Sequence, residues 1–149
     1  MGDGTGSTAE APVRVLAPGR ARGLAVVLEE PLSFWGGMDP SSGRVSDVHH
    51  PQHGAVVSRK VLVMPSGRGS SSSSSVLAEA IRAGTAPAGI VLRDPDVIVA
   101  LGSVVAAELY GRECPVVVAG EETYRAIRAG AEVEIDAAGD RGRLLVGGS

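Results

Sequence analysis

Apolar residues in the middle of the chain alternate between two patterns. Short, almost wholly apolar runs predict buried strands at residues 59–64, 88–92 and 114–120. Each run is followed by a stretch in which apolar residues recur with helical spacing. This part of the chain therefore predicts strands and helices in regular alternation.

Three stretches carry the helical predictions. Within residues 76–84 the apolar side chains fall on one helical face, and Gly84 is well placed as a C-cap. Residues 96–111 predict a short strand or turn and then a helix that extends to Glu108. Residues 121–130 predict a third helix, which ends at the final glycine of that stretch.

Both ends of the chain read mostly as strands. Residues 13–28 contain two short β-type runs joined by a turn-rich segment, and residues 131–146 contain two alternating runs around AAGDRG. Residues 1–12 are small and polar, which predicts a disordered tail. Residues 13–149 predict one layered α/β domain, with parallel strands in the middle and antiparallel strands added.

Residues 29–54 form a long polar segment rich in Pro, Gly, Ser, Asp and His. Loops of this length are uncommon in compact domains and tend to be functional when they are ordered. The segment holds the only Phe and the only Trp of the chain, Phe34 and Trp35. We therefore expect packing to anchor it. Asp39 begins the sequence DPSSG, which is typical of a β-turn.

Composition narrows the classes of function. Hydrophobic residues make up 44% of the chain but aromatic ones only 3%, so the core must be aliphatic. The net charge is −3, and the 14 Lys and Arg residues are scattered, which argues against nucleic-acid binding. The apolar runs are too short to span a bilayer, and the N-terminus lacks the apolar region of a secretory signal. The chain has a single cysteine, Cys114, which we expect to be a core residue. Because one cysteine cannot form a disulfide within the chain, we expect the protein to lie in the reducing cytoplasm.

Six consecutive serines, Ser70 to Ser75, separate the first predicted strand of the middle region from the first predicted helix. Composition alone favours a flexible linker, but neither flanking part of the chain looks able to fold alone. A strand–loop–helix turn fits the pattern better. Gly67 and Gly69 free the backbone so that successive N–H groups can face one concavity. The helix N-terminus and Arg68 make that place favourable for an anion.

The residues of this turn leave two functional interpretations open. The turn lacks the Gly-Lys-Ser/Thr of a P-loop, and it lacks the G-x-S-x-G of a nucleophile elbow. It could still hold a phosphate or carboxylate, or it could carry a reactive serine. The later serines of the run suit the ordinary role of helix N-caps.

Several stretches together resemble the swivel domain of the aconitase X family. They are EPLSFWGGMDPSSGRVSDVHHPQHG, VLVMPSGRGSSSSSSVLAEAIR, TAPAGIVL and ELYG, and the resemblance extends over roughly residues 13–146. It implies a single swivelling β/β/α domain. In this family the swivel domain is either fused to a large catalytic domain or made as a separate small subunit. A chain of 149 residues resembles the small subunit.

The resemblance implies a dehydratase (hydro-lyase) subunit that is active only with its large subunit. That partner is expected to hold an iron or iron–sulfur centre, and this chain is expected to bind no metal alone. Family members convert cis-3-hydroxy-L-proline to Δ1-pyrroline-2-carboxylate or dehydrate phosphomevalonate, and FWGG and HHPQ look closer to the hydroxyproline type. The family's catalytic base follows the G-x-G of the turn, which implies Ser70 here, with Ser71 in reserve.

The remaining candidates lie in the turn and in the long loop. The expected substrate-binding residues are Arg68, Gly69, Ser71, Gly36, Gly37 and Asp39. The histidines of HHPQH match no standard zinc spacing, so we interpret them as polar loop residues that cap turns or meet the partner. The alternative function is a non-catalytic module whose serine turn holds an anionic ligand.

Overall fold

The computed structural model describes residues 8–139 and 141–147 of the chain. Within them the strands are β1 (Thr8–Ala17), β2 (Gly19–Val27), β3 (Met38–Asp39), β4 (Arg44–Val45), β5 (Val61–Met64), β6 (Gly89–Leu92), β7 (Val116–Val118), β8 (Glu132–Ala138) and β9 (Arg141–Gly147). The helices are α1 (Phe34–Gly37), α2 (Ser72–Ala83), α3 (Val97–Tyr110) and α4 (Glu121–Ala126). No helix in the described part of the chain has the length and apolar character needed to cross a membrane.

Seven strands close into a barrel in the order β1–β7–β6–β5–β2–β8–β9, and β9 pairs with β1. Strands β2, β5, β6 and β7 run parallel to their neighbours within this group. The remaining pairs of the barrel are antiparallel. The structure thus confirms an α/β domain with parallel strands in the middle and antiparallel strands added.

The parallel strands are covered by an apolar layer on each of their two faces. All four residues of β5 and all four of β6 are buried. Val61 and Val63 point with other valines into the barrel interior, whereas Leu62 and Met64 pack on helices α2 and α3. Side chains alternate along a strand, so one run of valine and leucine serves both layers.

Strand β1 begins earlier than the sequence predicts. Residues 8–14 pair with β9, so the prediction of a disordered tail is wrong for residues 8–12. Residues 1–7 lie outside the described part of the chain. The partner of this strand segment is more than a hundred residues away, and a local reading of small polar residues does not reveal it.

The predicted helices differ from the observed ones mainly at their ends. Gly84 has the left-handed φ of 83° and caps α2, as predicted. Helix α3 starts directly at Val97 without a preceding strand, because the Asp96 side chain accepts hydrogen bonds from the N–H groups of Ile98 and Val99. Helix α4 stops at Ala126, four residues before the predicted end.

Candidate active site

The segment between β5 and α2, residues 65–71, is here called the serine turn. It connects two packed elements of one domain, so it is not a linker between domains. Gly69 has a φ of +112°, a conformation that favours glycine. On the loop side, Gly67 forms a parallel bridge with Leu32, and the Arg68 N–H donates to the Leu32 carbonyl at 3.1 Å.

The serines that follow Gly69 differ in their exposure to solvent. Ser70, Ser71 and Ser72 are exposed, whereas Ser73 and Ser74 are only 3% and 9% exposed. The Ser74 hydroxyl donates to the Ser71 carbonyl at 2.6 Å, the Ser73 N–H donates to the Ser70 carbonyl at 2.9 Å, and the Ser73 hydroxyl oxygen lies 3.4 Å from the Arg68 carbonyl oxygen. The buried pair therefore stabilises the turn, and the exposed serines before it can meet a substrate.

Ser70 lies at the positive end of helix α2. Its hydroxyl oxygen is 3.4 Å from the Ser72 backbone nitrogen, and its carbonyl accepts from the Ser73 N–H at 2.9 Å. Among residues 8–139 and 141–147, the N–H groups of Ser70 and Ser71 have no hydrogen-bond acceptor. Unpaired N–H groups and the helix dipole together favour a negative charge here, on a substrate or on the Ser70 oxygen.

Arg68 supplies a positive charge at the same place. Its guanidinium lies 3.9 Å from the Glu30 carboxylate, and both side chains are more than half exposed. An ion pair this long and exposed contributes little to stability. The guanidinium therefore remains available to an anion that binds at the serine turn.

The long loop contributes a second wall of the site through Ser33 and the residues after it. The Ser33 hydroxyl donates to the Trp35 carbonyl at 2.8 Å and lies 3.3 Å from the Ser73 hydroxyl. Phe34 is buried, whereas Trp35 is 64% exposed. Gly36 has a φ of +84° and is exposed, and helix α1, which contains Gly36 and Gly37, packs on α2.

Asp39 is not brought to the serine turn. Its carboxylate accepts from the backbone and hydroxyl of Ser41, and these bonds lower the pKa of the Asp39 carboxyl. The carbonyl of the next residue, Pro40, accepts from Thr85 just past the C-terminal end of α2. A helix of 12 residues is about 18 Å long, so Asp39 lies toward the end of α2 opposite Ser70. It acts as the turn initiator.

Ser33 and Asp96 are two residues of the site that sequence reasoning missed as functional. A Cβ at Gly67 would lie 2.9 Å from the Asp96 carboxylate and 2.6 Å from Val99, so the start of α3 packs directly on the serine turn. Asp96 is the N-cap of α3, because its carboxylate accepts from the N–H groups of Ile98 and Val99. Its contact with Gly67 joins residues from separate strand–helix units, which no local pattern signals. Ser33 carried one signal, a lone hydroxyl within the apolar stretch PLSFW.

The histidines act as loop residues. His50 is 5% exposed, with Nε2 at 3.1 Å from the Glu30 carbonyl and Nδ1 accepting from the Gln52 N–H at 3.0 Å. This confirms a turn-capping role for His50. Within the described part of the chain, no three His, Cys, Asp or Glu residues are grouped so that they could hold a metal ion.

Cys114 is buried in the core as predicted, and burial raises the pKa of its thiol to about 12. A thiol in this state is a poor metal ligand, because the thiolate is the form that binds metals. The described residues therefore do not fit an iron or iron–sulfur centre. An iron centre would need ligands from outside the described residues.

Known proteins resemble this chain in sequence and in fold. The family model of the aconitase X swivel domain matches residues 10–146. A cis-3-hydroxy-L-proline dehydratase of Pseudomonas aeruginosa is 50% identical over 108 residues, and a phosphomevalonate dehydratase small subunit of Methanothermobacter thermautotrophicus is 38% identical over 136 residues. The crystal structure of Thermococcus kodakaraensis aconitase X in its holo-form matches with a TM-score of 0.76 at 29% identity.

The extent of these matches differs. The aligned residues are 72% of this chain but 19% of the Pseudomonas protein, whereas they are 91% of this chain and 98% of the Methanothermobacter subunit. The match to the Thermococcus structure includes 90% of this chain and 98% of the chain in that structure. The family match, together with the barrel and its serine turn, leads to one conclusion: this chain belongs to the aconitase X swivel domain family.

Proposed function

We propose that this chain is the small subunit of a heteromeric dehydratase and that Ser70 is its general base. The observation that carries the proposal is an exposed serine at the N-terminus of α2, on a turn that the buried Ser73 and Ser74 hold in place. The family match covers this turn. Ser71 is the reserve choice because it is equally exposed and one residue further on.

A serine hydroxyl is a weak base unless its deprotonated form is stabilised. At Ser70 the stabilising groups are the Ser72 N–H, the unpaired N–H groups of the turn and the positive end of α2. The deprotonated oxygen takes the proton from the carbon next to the substrate carboxylate. The electron pair left on that carbon forms a double bond as the neighbouring C–O bond breaks, and the hydroxyl group takes up a proton and leaves as water.

Cis-3-hydroxy-L-proline is the substrate we favour. In this compound the elimination gives a cyclic enamine, which tautomerises to Δ1-pyrroline-2-carboxylate. The supporting observation is the 50% identity to the Pseudomonas dehydratase over 108 residues, a stretch that makes up 72% of this chain. Arg68 and the N–H groups of the serine turn are suited to bind the carboxylate of this substrate.

Phosphomevalonate is the second candidate, because the match to the Methanothermobacter small subunit extends over 98% of that subunit. Its phosphate and carboxylate are both anions that the N–H groups of the turn could bind. The two substrates differ in shape and charge, so an assay that offers them separately distinguishes the two functions.

A large subunit is the proposed partner. The exposed apolar residues of α3 support this, since Val97, Leu101 and Val104 are 80%, 48% and 39% exposed. Helix α3 has 14 residues, of which only Glu108 is charged, and the start of the helix packs on the serine turn through its N-cap Asp96 and through Val99. A subunit that covers Ser70 would meet this apolar face next to it. We propose that this subunit also holds the iron or iron–sulfur centre, and that the complex is cytoplasmic.

The rival function is a non-catalytic module that holds an anionic ligand at the same turn. It shares the N–H groups and Arg68 with the dehydratase but needs no serine hydroxyl. A variant that lacks only the Ser70 hydroxyl therefore separates the two functions.

The test uses this chain co-expressed with its proposed partner, a large aconitase X subunit sought in the same genome. We expect the assembled complex to dehydrate cis-3-hydroxy-L-proline, and Ser70→Ala to reduce kcat by about a hundredfold or more without loss of assembly. Ser75→Ala is the matched control, because Ser75 is exposed on the same helix one turn further on. Near-normal turnover by the Ser70→Ala complex would refute the assignment, and turnover of neither substrate would refute the function.

A further inference from the structure

Two serine hydroxyl groups enclose the backbone of Gly69. A Cβ placed on Gly69 would lie 2.9 Å from the Ser33 hydroxyl oxygen and 3.0 Å from that of Ser73. The two hydroxyl oxygens are 3.3 Å apart. Ser33 belongs to the long loop and Ser73 to the first turn of α2, so this contact joins two elements around the turn that carries Ser70.

The number of hydroxyl protons decides which of Ser33 and Ser73 is the donor in their hydrogen bond. A hydroxyl group has one proton to donate, and the Ser33 hydroxyl gives its proton to the Trp35 carbonyl at 2.8 Å. Ser33 therefore accepts in the contact with Ser73, and Ser73 is the donor. The Arg68 carbonyl, 3.4 Å from the Ser73 oxygen, is the alternative acceptor of the same proton.

Ser73 also bonds to the main chain just after Gly69. Its backbone N–H donates to the Ser70 carbonyl at 2.9 Å. The Arg68 N–H in turn donates to the carbonyl of Leu32, the residue before Ser33. The backbone from Arg68 to Ser70 is therefore fixed by these contacts to the loop.

We propose that Ser33, acting through Ser73, is a positioning residue for Ser70. Ser33 anchors the Ser73 hydroxyl, the Ser73 N–H holds the Ser70 carbonyl, and the Leu32 carbonyl of the loop holds the Arg68 N–H. This sets the direction of the Ser70 side chain and of the N–H groups that stabilise its deprotonated form. The inference rests on the proposed function and adds a role that the serine motif by itself does not contain.

The experiment measures kcat, KM and the pH dependence of kcat for Ser33→Ala, Ser73→Ala and the double variant in the assembled complex. We expect each single variant to lower kcat by about tenfold to a hundredfold, the scale for small misplacement of a catalytic group. KM should change less than kcat, because the Arg68 side chain that is suited to bind the substrate carboxylate is unchanged. The rise of kcat with pH should move to higher pH, since a loosened turn stabilises deprotonated Ser70 less well.

Comparison among the variants separates positioning from a purely structural role. The double variant should be no worse than the poorer single variant, because the two hydroxyl groups act as one unit. Ser33→Thr keeps the hydroxyl and should recover most of kcat, and Ser75→Ala should resemble the wild type. A Ser33→Ala complex with the kcat and pH profile of the wild type overturns the inference.

Three further outcomes are equally decisive. If both alanine variants fail to assemble, their role is structural and the inference is wrong. If Ser70→Ala is inactive while Ser33→Ala is normal, only the positioning role fails and the proposed function stands. A fully active Ser70→Ala complex removes the proposed function and the inference together.

Discussion

Chemically identical side chains in the serine run meet different surroundings. Ser73 and Ser74 are buried and bond to backbone carbonyl groups of the turn, whereas Ser70 and Ser71 face outward. The cause is the helical geometry that begins at Ser72, which turns successive side chains by about 100°. Composition alone could not assign these roles, because it treats the serines as equivalent.

Gly69→Ala should damage both folding and activity. The φ of +112° strains any residue with a Cβ, and the added atom would crowd the hydroxyl groups of Ser33 and Ser73. We expect the free energy of unfolding to fall by about 1–3 kcal/mol and kcat of the assembled complex to fall with it. Gly130→Ala is the control, because Gly130 shares a positive φ of +85° but has no neighbour near its Cβ. Equal kcat for the two variants would contradict the prediction.

Cys114 should give stability a dependence on alkaline pH. Burial raises the pKa of its thiol from 9.0 to about 12, so the neutral thiol stabilises the fold below the unfolded pKa. This stabilisation is lost as pH rises between about 9 and 12. Denaturant unfolding of the wild type and of Cys114→Ala should therefore show a difference in unfolding free energy that shrinks over this range. A difference that stays constant with pH would count against the burial of the thiol.

At the scale of elements, the site is made where the ends of two helices meet. Helix α2 starts directly after the serine turn, and the N-cap of α3, Asp96, packs on Gly67 of the same turn. The sequence predicted α2 and its glycine cap, because apolar spacing and Gly84 are local signals. It misplaced the start of α3, since an unbroken apolar stretch such as VIVAL fits a strand as well as a buried helix.

Asp96→Ala should destabilise the domain and also lower activity. The carboxylate accepts from the N–H groups of Ile98 and Val99, and loss of such a cap costs about 0.5–2 kcal/mol. Activity should fall as well because the serine turn rests on this end of α3. Asp94→Ala is the control, since Asp94 makes only an exposed ion pair with Arg93, worth less than about 1 kcal/mol. Thermal unfolding and kcat of both variants check this, and a milder effect at Asp96 than at Asp94 would be inconsistent with it.

At the scale of the whole molecule, the domain presents an apolar helix face beside an exposed candidate base. Neither feature is complete within the described residues, because Ser70 is open to solvent and Val97 and Leu101 have no covering side chains. A reaction that depends on a stabilised serine oxygen is favoured when water is excluded. The two features fit one partner that covers both.

Leu101→Asp should weaken assembly with the large subunit while the small subunit itself stays folded. Leu101 is 48% exposed in the free domain, so a charge there costs little until the face is buried. Leu24→Asp is a matched control, because Leu24 is 49% exposed but lies on β2, where it pairs with Glu132 of β8. Co-purification of both variants with the large subunit gives the comparison. Full assembly of Leu101→Asp would show that α3 is not the contact face.

Local patterns along the chain were sufficient to predict the α/β class, most of the strands and helices, and the serine turn as the candidate site. These follow from apolar periodicity, from glycine at positions with left-handed backbone and from contiguous motifs, which are local properties of the chain. The family resemblance also rested on contiguous stretches, and the match to residues 10–146 confirms it.

Packing between distant parts of the chain set the closure of the barrel, the strand pairing of residues 8–12 and the neighbours of Ser70. The pairing of β1 with β9 joins the two ends of the chain, and Ser33 and Ser73 meet across 40 residues. Asp39, which the motif placed with the site, lies toward the other end of α2. Contacts between residues far apart in sequence depend on how whole elements pack, and local patterns carry no information about that packing.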